Sequence, residues 1–357
     1  MRERILAIVR KEFLQVFREP RLRLMLVGPP VIQLIVFGFA VNLDLDNARI
    51  GWFDRDRTPE SRALRAAFDG SPVFEIAAEP ETEAEAAALL DHNRVLAVVS
   101  VMPGFARDRA RGAPAAVQVL VDGTNSNNAA LVSSYASRII AGPAPEFAEP
   151  RVWFNPELKS RYFFIPGVVM NIITIITLML TAMAIVREKE IGTMEQLLVT
   201  PIRPAELILG KTLPFLLVGL FDLFLVTALG QAIFGVPFRG SIWTIVAGAL
   251  AFLMTTLGAG LFISTVSRTQ QQAMMSSFLF FMPSFMLSGF AFPVRNMPEP
   301  AQWIAAFNPQ RYFVEILRGV FLKGSALDIL WPQFAALVLL GGLILAGSVA
   351  RFRSKLD

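Results

Sequence analysis

Phe163–Val186 reads FFIPGVVMNIITIITLMLTAMAIV, without a charged residue from end to end, and Arg187-Glu188-Lys189-Glu190 follows at once. A helix rises about 1.5 Å per residue, so roughly 20 such residues cross a hydrocarbon core about 30 Å thick. Lipid offers no partner for backbone N–H and C=O groups, so a run like this must be a helix. Reading outward with the same rule gives six spans: Leu22–Val41 (within 21–42), Phe163–Val186, Leu213–Phe234, Ile242–Val266, Ala273–Phe292 and Trp331–Ala350. The fold class expected is an α-helical membrane protein.

Composition agrees. Of 357 residues, 54% are hydrophobic and only 17% charged, where a soluble protein carries about 25%. The net charge of +4 does not point to nucleic acid, because Lys and Arg gather at the ends of apolar runs, where they set topology. There is no cysteine and a single histidine, His92. Disulfides, thiolate sites and a histidine-based metal centre are therefore not expected, and no metal or cofactor is assigned to the chain.

Before the first span, residues 1–20 repeat Ile5, Val9, Phe13 and Phe17 at helical spacing, with Arg4, Arg10, Lys11 and Arg18 on the other face. That is an amphipathic helix lying on an anionic lipid surface. The first span is long for a signal peptide and has a whole helix before it, so an uncleaved anchor is expected. From 43 to 161 the chain turns soluble in character. Arg49–Phe53, Val95–Val101 and Val117–Val121 read as strands, and Pro59–Phe68, Thr82–Leu90 and Asn125–Ile140 as helices, implying a small α/β domain. Its Asp122-Gly123-Thr124-Asn125 reads as a turn before a helix rather than a calcium loop, and His92 as a surface or helix-end residue.

Residues 162–357 form the membrane domain. Basic residues in the N-terminal arm, in the loop after the second span (Arg187, Lys189, Arg203, Lys211) and in the tail (Arg351, Arg353, Lys355) place both termini in the cytoplasm and the α/β domain outside. Two places fit less well: the loop after the fourth span has only Arg268, and the outer segment 293–330 holds Arg295, Arg311, Arg318 and Lys323.

The segment 187–211, REKEIGTMEQLLVTPIRPAELILGK, follows a span directly. It is too polar to insert, yet Met194, Leu197, Leu198 and Val199 give an apolar face to a short helix opening near Gly192-Thr193. Such an element suits docking into a groove on a soluble partner. Gly210-Lys211-Thr212 at its end imitates a phosphate-binding loop, but Ala205 stands where the first glycine belongs, and a span follows rather than a soluble helix after a strand. Leu287-Ser288-Gly289 likewise begins like a nucleotide-binding signature and breaks at Phe290.

The pattern E-K-E-x-G-T-x-E-Q-L-L-V-T-P-x-R-P-x-E-L-x-L-G-K resembles the cytoplasmic signature of ABC-2 type transport permeases, and Asn308-Pro309-Gln310-Arg311-Tyr312-Phe313 through Gly324 resembles that family's segment before the last span. The order of parts is similar over essentially the whole chain, closest to bacterial drug-exporter-like permeases with a large extracytoplasmic domain. The resemblance implies an inner-membrane subunit of a multidrug efflux system that exports amphipathic or hydrophobic substrate. ATP and Mg would be bound by a cytoplasmic ABC ATPase subunit, a separate chain, so this one is not an enzyme. It also implies a dimer with a second permease copy (identical or a paralogue) and leaves room for a periplasmic adaptor. Glu188, Lys189, Glu190, Gly192, Thr193, Glu195, Gln196 and Leu197 would couple the permease to the ATPase.

In the family the second and fifth spans face the dimer axis. By that resemblance Asn171, Thr174, Thr177 and Thr181, with Ser277, Ser284 and Ser288, are candidates to line the substrate path; helix packing is the equal alternative. Before the last span, Asn308 caps a helix with Pro309 at its first position. Phe313, Ile316, Leu317, Val320 and Phe321 form its apolar face, so it reads as a short re-entrant or interfacial element. Asn308, Arg311, Tyr312, Glu315 and Arg318 are outer-gate candidates. Asp222, near the middle of the third span, is either a functional intramembrane acid or a packing residue. An ion-coupled transporter using Asp222 and a membrane-anchored extracytoplasmic sensor or assembly protein are the rival readings.

Overall fold

The computed structural model describes residues 2–18, 20–40, 47–113, 117–124, 126–142, 153–155, 159–192 and 204–353. The chain divides into two compact units, Leu43–Leu158 and the remainder.

The smaller unit carries β1 (Ala48–Asp54), α3 (Pro59–Asp69), β2 (Phe74–Ala78), α4 (Glu83–Asp91), β3 (Ala97–Val101), α5 (Phe105–Ala110), β4 (Val117–Val121) and α6 (Ser126–Ala141). The sheet runs β2-β1-β3-β4. β1 is parallel to both neighbours, while β4 returns antiparallel to β3 with Val99 opposite Val119. β3 is buried at every position, AVVSV, which suits a central strand covered on both faces. One face packs Ile50, Trp52, Phe68, Phe105 and Val132 together. The other packs Phe53, Val95 and Val98 against Ala86 of α4. α3 begins with a capping box: the Thr58 side chain accepts from the Ser61 N–H, and the Ser61 side chain accepts from the Thr58 N–H. The expected strands and helices are all present. β2 and α5 are additional, and the expected start of α6 at Asn125 lies outside the described residues.

The larger unit begins with α1 (Arg2–Arg18) and α2 (Pro20–Ala40) and resumes with α7 (Ser160–Ile191), α8 (Pro204–Phe234), α9 (Ile242–Val266), α10 (Gln270–Met286), α11 (Glu299–Ala306), α12 (Pro309–Arg318) and α13 (Leu327–Arg353). Among the described residues, 4 helices are long and apolar enough to cross a membrane: α7, Glu206–Phe234 of α8, α9, and Leu327–Arg351 of α13. In α2 the described residues include the apolar stretch Leu26–Phe39, with Pro29-Pro30 inside it. The expected span Ala273–Phe292 is not one helix. α10 ends at Met286 just after Pro283, and Gly289 is left-handed with φ 79°. At 17 residues it is about 25 Å long. α7 and α8 each extend beyond their expected spans toward the 187–211 segment.

α7 is the central helix: its apolar stretch is 83% buried, against 17% for α13, and it packs on α2, α8, α9, α10 and α12. Small residues make this possible. A Cβ at Gly260 of α9 would lie 2.8 Å from the Thr181 Cβ and 3.0 Å from the Leu178 carbonyl oxygen. One at Gly219 of α8 would lie 2.6 Å from Leu253 and 2.8 Å from Thr177.

Candidate functional site

The sequence marks the charged end of α7, and the structure shows what those charges hold. Glu188 Oε1 accepts from Lys11 Nζ at 2.6 Å and lies 2.9 Å from Lys211 Nζ. Lys211 also donates to Glu12 at 3.0 Å, and Glu12, Glu188 and Lys211 are all buried. Buried charges persist only when paired, and here two cations meet two anions. One residue on, Lys189 Nζ donates to the Ser264 carbonyl at 2.6 Å. Glu190 accepts from the Gln270 side chain at 2.7 Å. Glu188 thus ties α7 to α1 and α8, Lys189 ties it to α9, and Glu190 to the start of α10. Gly192 closes the helix in the left-handed conformation with φ 80°, its N–H on Lys189 O. Thr193, Glu195, Gln196 and Leu197, with the short helix expected around them, lie outside the described residues.

The path candidates fall into two groups. Asn171, Thr174, Thr177, Thr181, Ser277 and Ser288 are buried, and Ser284 is half-buried. Most hydroxyls turn back onto their own helix: Thr174 donates to Met170 O at 2.7 Å, Ser277 to Ala273 O at 2.8 Å, Ser284 to Phe280 O at 3.0 Å and Ser288 to Phe285 O at 2.7 Å. Thr177 bonds Ile173 O at 2.6 Å and bridges to Thr256 of α9 at 2.9 Å. Asn171, with both amide atoms, and the Thr181 hydroxyl have no partner among the described residues. Asp222 is fully buried and neither carboxylate oxygen is bonded among the described residues. It shares a face of α8 with Gly219, Val226 and Gly230. Gly219 meets Thr177, and Gly230 meets Ile165, so Asp222 points at the apolar middle of α7.

At the opposite end of α7 the gate candidates form a clamp. Asn308 caps α12 by accepting from Gln310 N at 3.1 Å and donates to Ser284 O at 2.6 Å. Arg318 lies over the Phe163 ring, 3.6 Å from its centroid, and donates to Phe163 O at 3.3 Å and Gly289 O at 3.0 Å. Tyr312 donates to Ala306 O at 2.7 Å, and Arg311 pairs with Glu315 at 3.5 Å within α12. The clamp holds Phe290, which sequence reasoning did not single out. That ring is 1% exposed and sits against Gly167, where any side chain would overlap it. Phe37, Phe164 and Phe285 surround it with centroids at 5.5, 5.8 and 5.2 Å. A glycine one turn into a span and a glycine before an aromatic residue were the available signals.

In the smaller unit, the carboxyl ends of β1 and β3 form the place where open α/β sheets bind ligands. Asp56 occupies it, accepting from Gly104 N at 2.7 Å, Ala106 N at 3.0 Å and Thr58 Oγ1 at 2.8 Å. These bonds, that from Ala106 N foremost, hold its carboxyl below the usual range. Beside it an open crevice of about 720 Å³ is lined by Trp52, Arg55, Arg57, Arg62, Glu79 and Glu81, among others. Asp122 accepts from Thr124 N at 2.9 Å, the expected turn, and His92 caps the end of α4.

Residues 21–350 match the model of a family described as ABC-2 family transporter protein. The chain is 32% identical over 366 residues to the probable multidrug ABC transporter permease YbhR of Escherichia coli, covering 99% of this chain and 100% of that protein. It is 35% identical to the probable multidrug ABC transporter permease YbhS over 90% of this chain and 89% of that one. The inner membrane transport permease YhhJ is 31% identical over 94% and 95%.

Proposed function

The chain belongs to the ABC-2 family of transporter membrane proteins, and from that premise we propose that it is the membrane permease of an ATP-driven exporter. A separate cytoplasmic ATPase subunit, binding ATP and Mg, docks on the segment after Gly192, and two permease copies enclose the path. Amphipathic or hydrophobic substrate moves outward between α7 and α10. In this reading both termini face the cytoplasm, and the α/β unit lies outside the inner membrane, where a periplasmic adaptor could bind. The multidrug wording belongs to YbhR and YbhS, and its extension to this chain is part of the proposal.

The observation that carries the reading is the fastening of α7 at Glu188, Lys189 and Glu190 to four other helices. A push on the segment after Gly192 then has a rigid end to act on. A closing motion there would part α7 from α10; among the described residues, Asn171 and Thr181 of α7 carry hydrogen-bonding atoms without a partner. At the far end, movement of Phe290 off Gly167 would open the exit. Among the described residues Asp222 has no bonded partner, and it lies on the α8 face of α7, away from Asn171, which gives the ion-coupled alternative no support.

Purification of tagged permease in mild detergent tests the proposal. An ATPase subunit with a phosphate-binding loop is expected to co-purify in equal amount and to be lost when Glu195 and Leu197 are both changed to Ala. A permease that purifies alone, or an ATPase retained by the double variant, contradicts it.

A further inference from the structure

Gly210-Lys211, which fails as a phosphate-binding loop, has a use in the fold. The first turns of α8 lie against α1. A Cβ at Gly210 would come within 2.8 Å of the Ile8 Cβ and Cγ2, so any other residue would push α1 away. One position on, Lys211 is 3% exposed, with Nζ 3.0 Å from Glu12, one turn along α1 from Ile8, and 2.9 Å from Glu188 on α7. Lys11 of α1 reaches the same Glu188 oxygen at 2.6 Å.

α7 and α8 are the two legs that flank residues 193–203. Glu188 lies four residues before Gly192 in one leg, and Lys211 lies two turns into the other. Their contact bridges the legs, and both are fastened to α1. Through Pro20, α1 leads into α2, whose Phe37 packs on Phe290 at the other end of the unit.

We propose that Lys211 is a positioning residue that seats α1 on the base of the coupling segment, so that α1 and both legs move as one body when the ATPase subunits close. The proposal rests on the permease reading above. It makes α1 and α2 a second lever from the coupling segment to the Phe290 seat, beside α7 itself. Gly210 gives the closeness of the seat. Lys211 gives its specificity, because an ammonium between two buried carboxylates has no equivalent in an apolar contact.

The chain has no cysteine, so spin labels can be placed at the exposed positions Leu6→Cys on α1 and Leu209→Cys on α8. In the purified permease–ATPase complex, their separation is expected to stay within about 2 Å between nucleotide-free and vanadate-trapped states. Lys211→Gln broadens that separation and lowers ethidium transported per ATP hydrolysed roughly tenfold, equivalent to about 1.4 kcal/mol of coupling. Lys211→Arg keeps most of the coupling. The reversed pair Glu12→Lys with Lys211→Glu recovers transport that Lys211→Glu alone loses, and where Lys211→Gln does not accumulate in the membrane this rescue decides. A wild-type separation that shifts by a helical turn or about 5 Å, undiminished coupling in Lys211→Gln, or a folded reversed pair without rescue overturns the proposal. A wild-type complex without ATPase overturns the permease reading instead, and the stroke with it.

Discussion

Lys211 and Asp222 are both buried ionisable groups of α8, separated by three turns, and their surroundings are opposite. Lys211 is held by Glu12 and Glu188, whereas among the described residues both Asp222 oxygens are unbonded. A paired buried charge loses much when one partner is removed, while a group without partners has little to lose. Asp222→Asn should therefore leave transport within about twofold of wild type and shift Tm by no more than a few degrees. Drug efflux from cells and a thermal melt check this. Abolished efflux would make Asp222 a working group and revive ion coupling. Little of this contrast was legible in the chain. Asp222 announces itself as a carboxylate inside an apolar run, but nothing local says whether it is paired. Lys211 pairs with a residue 199 positions away, a contact only the packing of α1 on α8 creates.

At the scale of elements, the long apolar runs are where sequence and structure agree best, because burial in lipid demands length and lack of charge and little else. α9 spans the residues its apolar run gives, Ile242–Val266. The failures are local and have causes. β2, FEIAA, is short and carries Glu75 outward, so its hydrophobic signal is weak. α10 stops at Met286 although apolar residues continue to Phe292, because Pro283 and left-handed Gly289 turn the chain so that Phe290 re-enters the α7 surface. That seat gives an element-scale expectation. Gly167→Val fills space the Phe290 ring occupies and should destabilise by about 1–3 kcal/mol. Phe290→Ala in the same chain should recover part of that loss, which denaturation of the single and double variants in detergent measures. Equal stability of Gly167→Val and wild type would mean that the ring does not sit there.

For the molecule as a whole, the two ends of α7 have contrasting chemistry. One end is ionic, tied through Glu188, Lys189 and Glu190 to α1, α8, α9 and α10. The other is aromatic, closed by Phe290 under the Arg318 clamp. The proposed ATP-driven exporter would use this asymmetry: a stiff end to receive force and a releasable end to let substrate out. Between them α7 presents its hydroxyl groups mostly bonded to its own backbone, so a path there has to be opened rather than found open. The most direct test is ethidium uptake into inside-out vesicles from cells producing the permease and its co-purifying ATPase. The account predicts uptake that requires ATP, stops with vanadate and survives a proton uncoupler. Uptake that proceeds without ATP and collapses with the uncoupler would contradict it.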